Sequence, residues 1–243
     1  TYYQIILTDA FGCTSIDSIK VTVDPIISLV VSNDTTICEG DCITITANGA
    51  SNVVWDPSSS LSDTSIFNPI ACPIATETFF VTGNTGLCFD NAQITITVNS
   101  LPVIDAGLDD TICIGDTTQL LASGANTYLW APSSSLSASN NANPLALPTV
   151  STSYIVTGTD LNSCSNTDTV DVVVNNLPAV DAGLPASICL GDSTQLQATG
   201  ADTYVWTPAG SLSNSTISNP MASPSVNTTY FVVGTDLNAC INI

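Results

Sequence analysis

The sequence predicts an all-β chain of tandem immunoglobulin-like β-sandwich repeats, each about 75 residues long, set in a linear array. Three observations carry this. Five short blocks recur in fixed order along the 243 residues. Residues that favour long helices (Lys, Arg, Glu, Met) are scarce, while Val, Ile and Thr are frequent. Apolar and polar residues alternate in stretches of strand length, broken by Gly and Pro.

The recurrence is explicit. TICEGDC (36–42), TICIGDT (111–117) and SICLGDS (187–193) lead each copy. VVWDPSSSLS (53–62), YLWAPSSSLS (128–137) and YVWTPAGSLS (204–213) follow, then NPIACP, NPLALP and NPMASP. TFFVTG, SYIVTG and TYFVVG come next, and each copy closes on a cysteine in TGLCFD, LNSCSN or LNACIN. Cys38 and Cys113 lie 75 residues apart, and Cys113 and Cys189 lie 76 apart. Such a period is the signature of a repeat architecture.

The first residues, TYYQIILTDAFGC, match STSYIVTGTDLNSC (151–164), so residues 1–23 are expected to be the C-terminal part of a preceding repeat. Complete repeats are expected at 24–99 and 100–175, and a repeat lacking its last strand at 176–243, making the sequence a window on a longer protein. The linkers NSLPVIDAGLDD (99–110) and NNLPAVDAGLPA (175–186) each carry a Pro and an Asp-Ala-Gly turn. The segment VDPIISLVVSND (23–34) departs from that pattern, which predicts a different inter-repeat angle.

Within the middle repeat, TQLLASG (118–124) alternates and stops at Gly. TYLWAP (127–132) puts Tyr128 and Trp130 on one face, because side chains alternate along a strand. SSSLSASNNANP reads as a polar loop, TSYIVTG (152–158) places Tyr154 and Val156 together, and TDTVDVVV (167–174) alternates again. The aromatic residues Trp55, Trp130, Trp206, Phe79, Tyr154 and Tyr230 keep one phase in every copy, so they are expected in the core.

Charge removes whole classes of function. One Lys, no Arg and 21 acidic residues give a net charge of −20, which opposes nucleic-acid binding and attraction to anionic membranes. The absence of His rules out a Ser-His-Asp triad, a Cys-His pair and a His-based zinc site within the chain. The longest apolar run, IISLVV at 26–31, is too short to span a bilayer.

A 75-residue sandwich buries only about 60–65% of its unfolded surface, so cross-links would matter. Cysteines recur 50 or 51 residues apart within each copy, which predicts Cys38–Cys88, Cys113–Cys164 and Cys189–Cys240, each worth roughly 4 kcal/mol in the chain-entropy model. Cys42 and Cys72 replace Thr117 and Leu147 of the middle repeat, which predicts a fourth bond, Cys42–Cys72, with Cys42–Cys88 as its competitor. Cys13 is expected to be unpaired in this fragment. Metal ligation is the alternative, though no CxxC pair supports it. Structural disulfides imply a location outside a reducing cytosol.

DAGLDDTICIGD, YLWAPSSSLS, NPLALP and SYIVTGTDLNSC together resemble the PKD-like/Ig-like repeats of giant secreted surface proteins of Bacteroidota. These include gliding-motility-type adhesins and proteins exported by type IX secretion. The resemblance covers the whole chain. The common Trp-Asp-Phe-Gly-Asp-Gly segment of PKD repeats is absent, and Trp55-Asp56-Pro57 and its counterparts stand in its place. A ligand role attached to that segment is therefore not carried over.

Candidate sites are few. Asp41, Asp116 and Asp192 share one Gly-Asp turn, read as an Asx-type turn in preference to a calcium or glycan contact. Asp105, Asp109 and Asp110 cluster as weak calcium candidates, but the next junction keeps only Asp181. No cofactor is expected otherwise. No catalytic residues are expected, because the carboxylates fall in turns and on polar strand faces, with no cleft to separate their pKa values. Lys20 has no counterpart in the complete repeats, so an isopeptide cross-link cannot be general. The Asp-Ser/Thr acceptor pattern for O-glycosylation in Bacteroidota is resembled at Ser18, Thr35, Thr111, Thr117, Thr169 and Ser193.

The function expected is a structural stalk or fibre segment of a long extracellular cell-surface adhesin. The alternatives are a subunit segment of a multi-chain filament or appendage and the non-catalytic stalk of a secreted enzyme. Expected partners are neighbouring repeats of the same chain and, in a filament, identical chains, with no nucleic acid and no membrane insertion in this window. Net negative charge would keep neighbouring rods soluble and apart.

Overall fold

The computed structural model describes residues 1–24 and 26–243; Pro25, in the first junction segment, lies outside the described residues. The described residues contain strands, turns and no α-helix. The chain divides into two compact units, Thr1–Leu101 and Pro102–Ile243.

The first unit opens with an antiparallel hairpin of Tyr2–Thr8 and Thr14–Lys20, in register Tyr2↔Lys20 to Thr8↔Thr14. Tyr3 and Ile5 occupy the positions of the buried Tyr154 and Val156, yet both are exposed. A four-stranded sheet follows, in the order Thr35–Cys38, Cys88–Asn99, Glu77–Thr85, Asn52–Asp56. Thr35–Cys38 runs parallel to the far end of Cys88–Asn99; the other pairings are antiparallel. Facing this sheet are two short ladders, Val30–Val31 with Ala47–Asn48 and Ile43–Thr44 with Ile70–Ala71. The apolar positions point inward from both layers and form one core around Ile45, Trp55, Phe79, Val81, Ile94 and Ile96. Two layers of mostly antiparallel strands enclosing alternate residues, with a Trp buried between them, define the immunoglobulin-like sandwich.

The second unit holds one further copy of this architecture and a smaller copy whose main sheet has three strands. Its first sheet has the order Asp110–Cys113, Ser165–Asn175, Thr152–Thr159, Thr127–Ala131, with the same parallel edge pairing. Its core gathers Trp130, Tyr154, Val156, Val170 and Val172. The last copy pairs Thr203–Thr207 with Phe231–Thr235, and the latter with Ile241–Asn242. Its core is smaller and centres on Trp206, Tyr204, Ala198 and Val232. The stretch 118–124, expected as one strand, contributes a two-residue ladder, Thr118–Gln119 with Leu145–Ala146, while Ser123 bridges the linker residue Asp105.

The linkers are part of the sandwiches. Ile104 is buried in the core of the middle copy. It reaches that core over Gly158, where a Cβ would stand 2.3 Å from the Ile104 Cδ1. Leu29 over Gly83 and Val180 over Gly234 repeat the arrangement.

Three of the expected disulfides need correction here. Cys113 pairs with Asn175 at one end of Ser165–Asn175, whereas Cys164 precedes Ser165 at the other end. Eleven residues at about 3.3 Å each place them roughly 35 Å apart, far beyond the ~7 Å limit between bridged Cα atoms. Cys38 opposite Asn99 and Cys88 at the start of the same strand are separated likewise. The expected Cys38–Cys88 and Cys113–Cys164 bonds therefore do not form. Cys189–Cys240 is not formed either, since Cys240 bonds to Cys113. Cys113 is thus joined to a cysteine of the next copy, while Cys42–Cys72 stays within one.

Candidate functional site

The cysteines and the junctions are where the chain's chemistry is concentrated. Cys42 and Cys72 are joined, with Cα atoms 4.3 Å apart. They sit just before Ile43–Thr44 and just after Ile70–Ala71, which are paired strands of one layer, so the bond staples that ladder. Cys113 is joined to Cys240, with Cα atoms 5.5 Å apart and 127 positions between them in sequence. Cys13, Cys88 and Cys189 are free; Cys13 and Cys189 are exposed and Cys88 is half-buried. Cys38 and Cys164 are not free.

Three of the hairpins that lead into a late cysteine are built by an aspartate. Asp160 accepts the N–H groups of Asn162 and Cys164, at 2.8 and 2.9 Å. Asp236 does the same for Asn238 and Cys240, and Asp9 for Phe11 and Cys13. The first complete copy has no such Asp and its hairpin is one residue shorter; the Asp24 carboxylate accepts the Leu87 N–H there instead.

The aromatic residues lie as their phase implies. Trp55, Trp130 and Trp206 are buried, and each indole N–H donates to a carbonyl eleven residues on, those of Ile66, Asn141 and Ile217. Tyr154 and Phe79 are fully buried, and Tyr230 is half-buried. The Tyr154 hydroxyl bonds that of Ser135 at 2.6 Å, and Tyr230 bonds Ser211 in the same way. Phe79 has no hydroxyl, and the equivalent Ser60 donates to Glu77. Sequence reasoning missed this serine–tyrosine pair, although SSSLS and SY recur at fixed spacing.

The junction carboxylates are occupied by the fold. Asp105 accepts the Gly107 N–H, Asp109 accepts the Asp171 N–H, and Asp110 accepts the Thr111 N–H and the Thr118 hydroxyl. Among the described residues no group of three or more His, Cys, Asp or Glu side chains is placed to hold a metal ion. The Gly-Asp turns are likewise local: the N–H groups of Asp41, Asp116 and Asp192 donate to the carbonyls of Cys38, Cys113 and Cys189, and the Asp41 carboxylate accepts the Cys38 N–H at 3.3 Å. Asp168 accepts the Ala106 N–H at 2.8 Å. That bond, then one from the Thr169 N–H, holds the Asp168 carboxyl below the ordinary aspartate value. Asp63 is lowered first by the Ser65 N–H and then by the Ser65 hydroxyl. Lys20 lies 5.8 Å from the centre of the Tyr2 ring, a cation–π contact across the first hairpin.

Of the acceptor residues, Ser18, Thr111, Thr117, Thr169 and Ser193 are exposed and Thr35 is half-buried. Open depressions accompany the fold among the described residues. One of about 680 Å³ is lined by Ser187, Ile188, Cys189, Gly191, Asp192 and Ser193. Another, of about 290 Å³, includes Ser60, Cys72 and Glu77. Each brings together a single carboxylate with hydroxyls and a sulfur. No helix of the described residues is long and apolar enough to cross a membrane.

No family of known proteins and no curated protein matches this sequence. Solved structures do align with it. The I67–I69 fragment of the titin I-band aligns over 91% of this chain and 98% of its own, at 12% identity and a TM-score of 0.46. The N-terminal eight Ig domains of the Down syndrome cell adhesion molecule align over 97% of this chain, at 11% identity and a TM-score of 0.37. This chain spans 46% of that fragment. Extracellular cadherin domains 3–6 of protocadherin gamma B2 align over 99% of this chain and 81% of theirs, at 12% identity and a TM-score of 0.32. The class of protein is set by the chain's own sheets: tandem immunoglobulin-like sandwiches.

Proposed function

We propose that this chain is a segment of an extracellular structural stalk or fibre that carries an adhesive end away from a cell surface. The observation that carries the reading is the Cys113–Cys240 bond, a covalent tie between successive copies of one sandwich. Such a tie suits a part that holds two ends at a distance, and disulfides persist outside a reducing cytosol. The net charge of −20 and the near-absence of Lys and Arg fit a part that stays dispersed and resists trypsin-like cleavage. The repeat boundaries belong to the same proposal, as 24–99, 100–175 and 176–243. So do the gliding-type adhesin context, type IX export and glycosylation at the exposed acceptors, all of which rest on the sequence resemblance.

A second reading, lateral packing in a multi-chain filament, is favoured by exposed apolar residues that are diagonal neighbours on adjacent strands: Val54 and Phe80, Leu129 and Ile155, and Val205 and Phe231. Electron micrographs of the native assembly test both readings. Single thin rods support the stalk, bundles of parallel chains support the filament, and a hydrolase domain at the end of the rod turns the stalk reading towards a secreted enzyme.

A further inference from the structure

We infer that the Cys113–Cys240 bond is a tension-carrying clasp that bypasses the peptide linker between the second and third copies. Cys113 ends its strand opposite Asn175, the last residue of the neighbouring strand. The chain leaves the second copy at that point and enters the third at Pro178. The Pro178 carbonyl accepts the Asn242 side-chain amide at 2.9 Å, two residues beyond Cys240. The linker thus departs beside one half of the disulfide and arrives beside the other. Two covalent routes cross this junction in parallel: the peptide bonds of 175–178 and the sulfur–sulfur bond.

Two properties follow from connectivity alone. Tension applied at the chain ends crosses from Cys113 to Cys240 through sulfur, and residues 114–239 lie outside the load path. Extended, that segment would add roughly 420–450 Å of contour at 3.3–3.6 Å per residue. Moreover, cutting the linker backbone leaves the two copies joined. That the clasp bears tension in its native setting rests on the stalk reading; that it exists and bypasses the linker does not.

The test is made on the full chain, purified without reductant, with a protease recognition sequence inserted between Asn176 and Leu177. After cleavage, pieces 1–176 and 177–243 are expected to migrate together on a denaturing gel without reductant. They should separate in dithiothreitol, whose two thiols close to a disulfide while passing two electrons and two protons to the cysteine sulfurs. The Cys240→Ser variant should separate without reductant. Separation of the wild-type pieces without reductant overturns the inference, as does continued linkage in Cys240→Ser. A second measurement stretches the uncut chain between its termini: the oxidised chain should reach less than about half the contour of the reduced chain. Extension of the oxidised chain to the reduced length also overturns it. Micrographs showing no rod would sink the stalk reading and leave these outcomes unaffected.

Discussion

Asp168 accepts the Ala106 N–H across 62 positions of sequence, and so ties the Asp-Ala-Gly turn of the linker to the last strand of the copy that the linker precedes. Asp90 and Leu29 make the same bond, at 2.8 Å, in the first unit.

This bond predicts an acid dependence of known sign. The Asp168 pKa is depressed in the folded chain by the Ala106 and Thr169 N–H groups, so its stabilisation is complete above the ordinary aspartate value and is lost as pH falls through the lower folded value. Amide exchange at Ala106 is expected to accelerate in that window. Asp168→Asn should flatten the dependence; an unchanged acid profile in that variant would assign the effect to other carboxylates.

The hydroxyl pair of Tyr154 and Ser135 is expected to contribute about 1 kcal/mol, the usual net value of a buried hydrogen bond. Tyr154→Phe should therefore lower stability by that amount in urea titration. Tyr230→Phe should cost less, because Tyr230 is half-buried. Phe79→Tyr should bring no gain, since Ser60 already donates to Glu77.

Gly124 predicts a sharper loss. Its φ is +95°, and a Cβ there would stand 1.8 Å from the Val103 carbonyl oxygen, a backbone atom that cannot swing aside. Gly124→Ala should destabilise the middle copy by about 3 kcal/mol or more, combining left-handed strain with displacement of the linker. Gly115→Ala is the control: its φ is +97° but nothing lies within 4 Å, so about 1–2 kcal/mol is expected. Equal losses at the two sites in thermal unfolding would refute the clash argument.

Thiol labelling of the unreduced, folded chain is expected to mark Cys13 and Cys189 fast, Cys88 more slowly, and Cys42, Cys72, Cys113 and Cys240 not at all. Protection of Cys189 would revive its pairing with Cys240.

The all-β class and the core were legible in the sequence because both depend on local alternation. Trp130 and Tyr154 announce their faces by phase alone, and the repeat confirms each reading twice over. The disulfide register was not legible. It depends on the parallel pairing of Asp110–Cys113 with the far end of Ser165–Asn175, a long-range contact that no local pattern encodes. Two cysteines at constant spacing looked like partners, yet they mark opposite ends of one sandwich. Cys42 and Cys72 were approachable because both substitutions occur in a single copy, and the strands beside them are antiparallel neighbours. The Asp-capped hairpins were hidden for a different reason: an Asp four residues before a Cys has many conformations open to it until the flanking strands pair.

Ile104, seated over Gly158, sets the frame in which such a gene can lengthen or shorten. The strap of residues before each copy fills a hole in the copy that follows it. A duplication or deletion whose ends fall between the strap and its sandwich would leave one core open and one apolar strap bare. Gains and losses of repeats are therefore expected to have their breakpoints upstream of the Asp-Ala-Gly turn, so that each inherited copy arrives with its own strap.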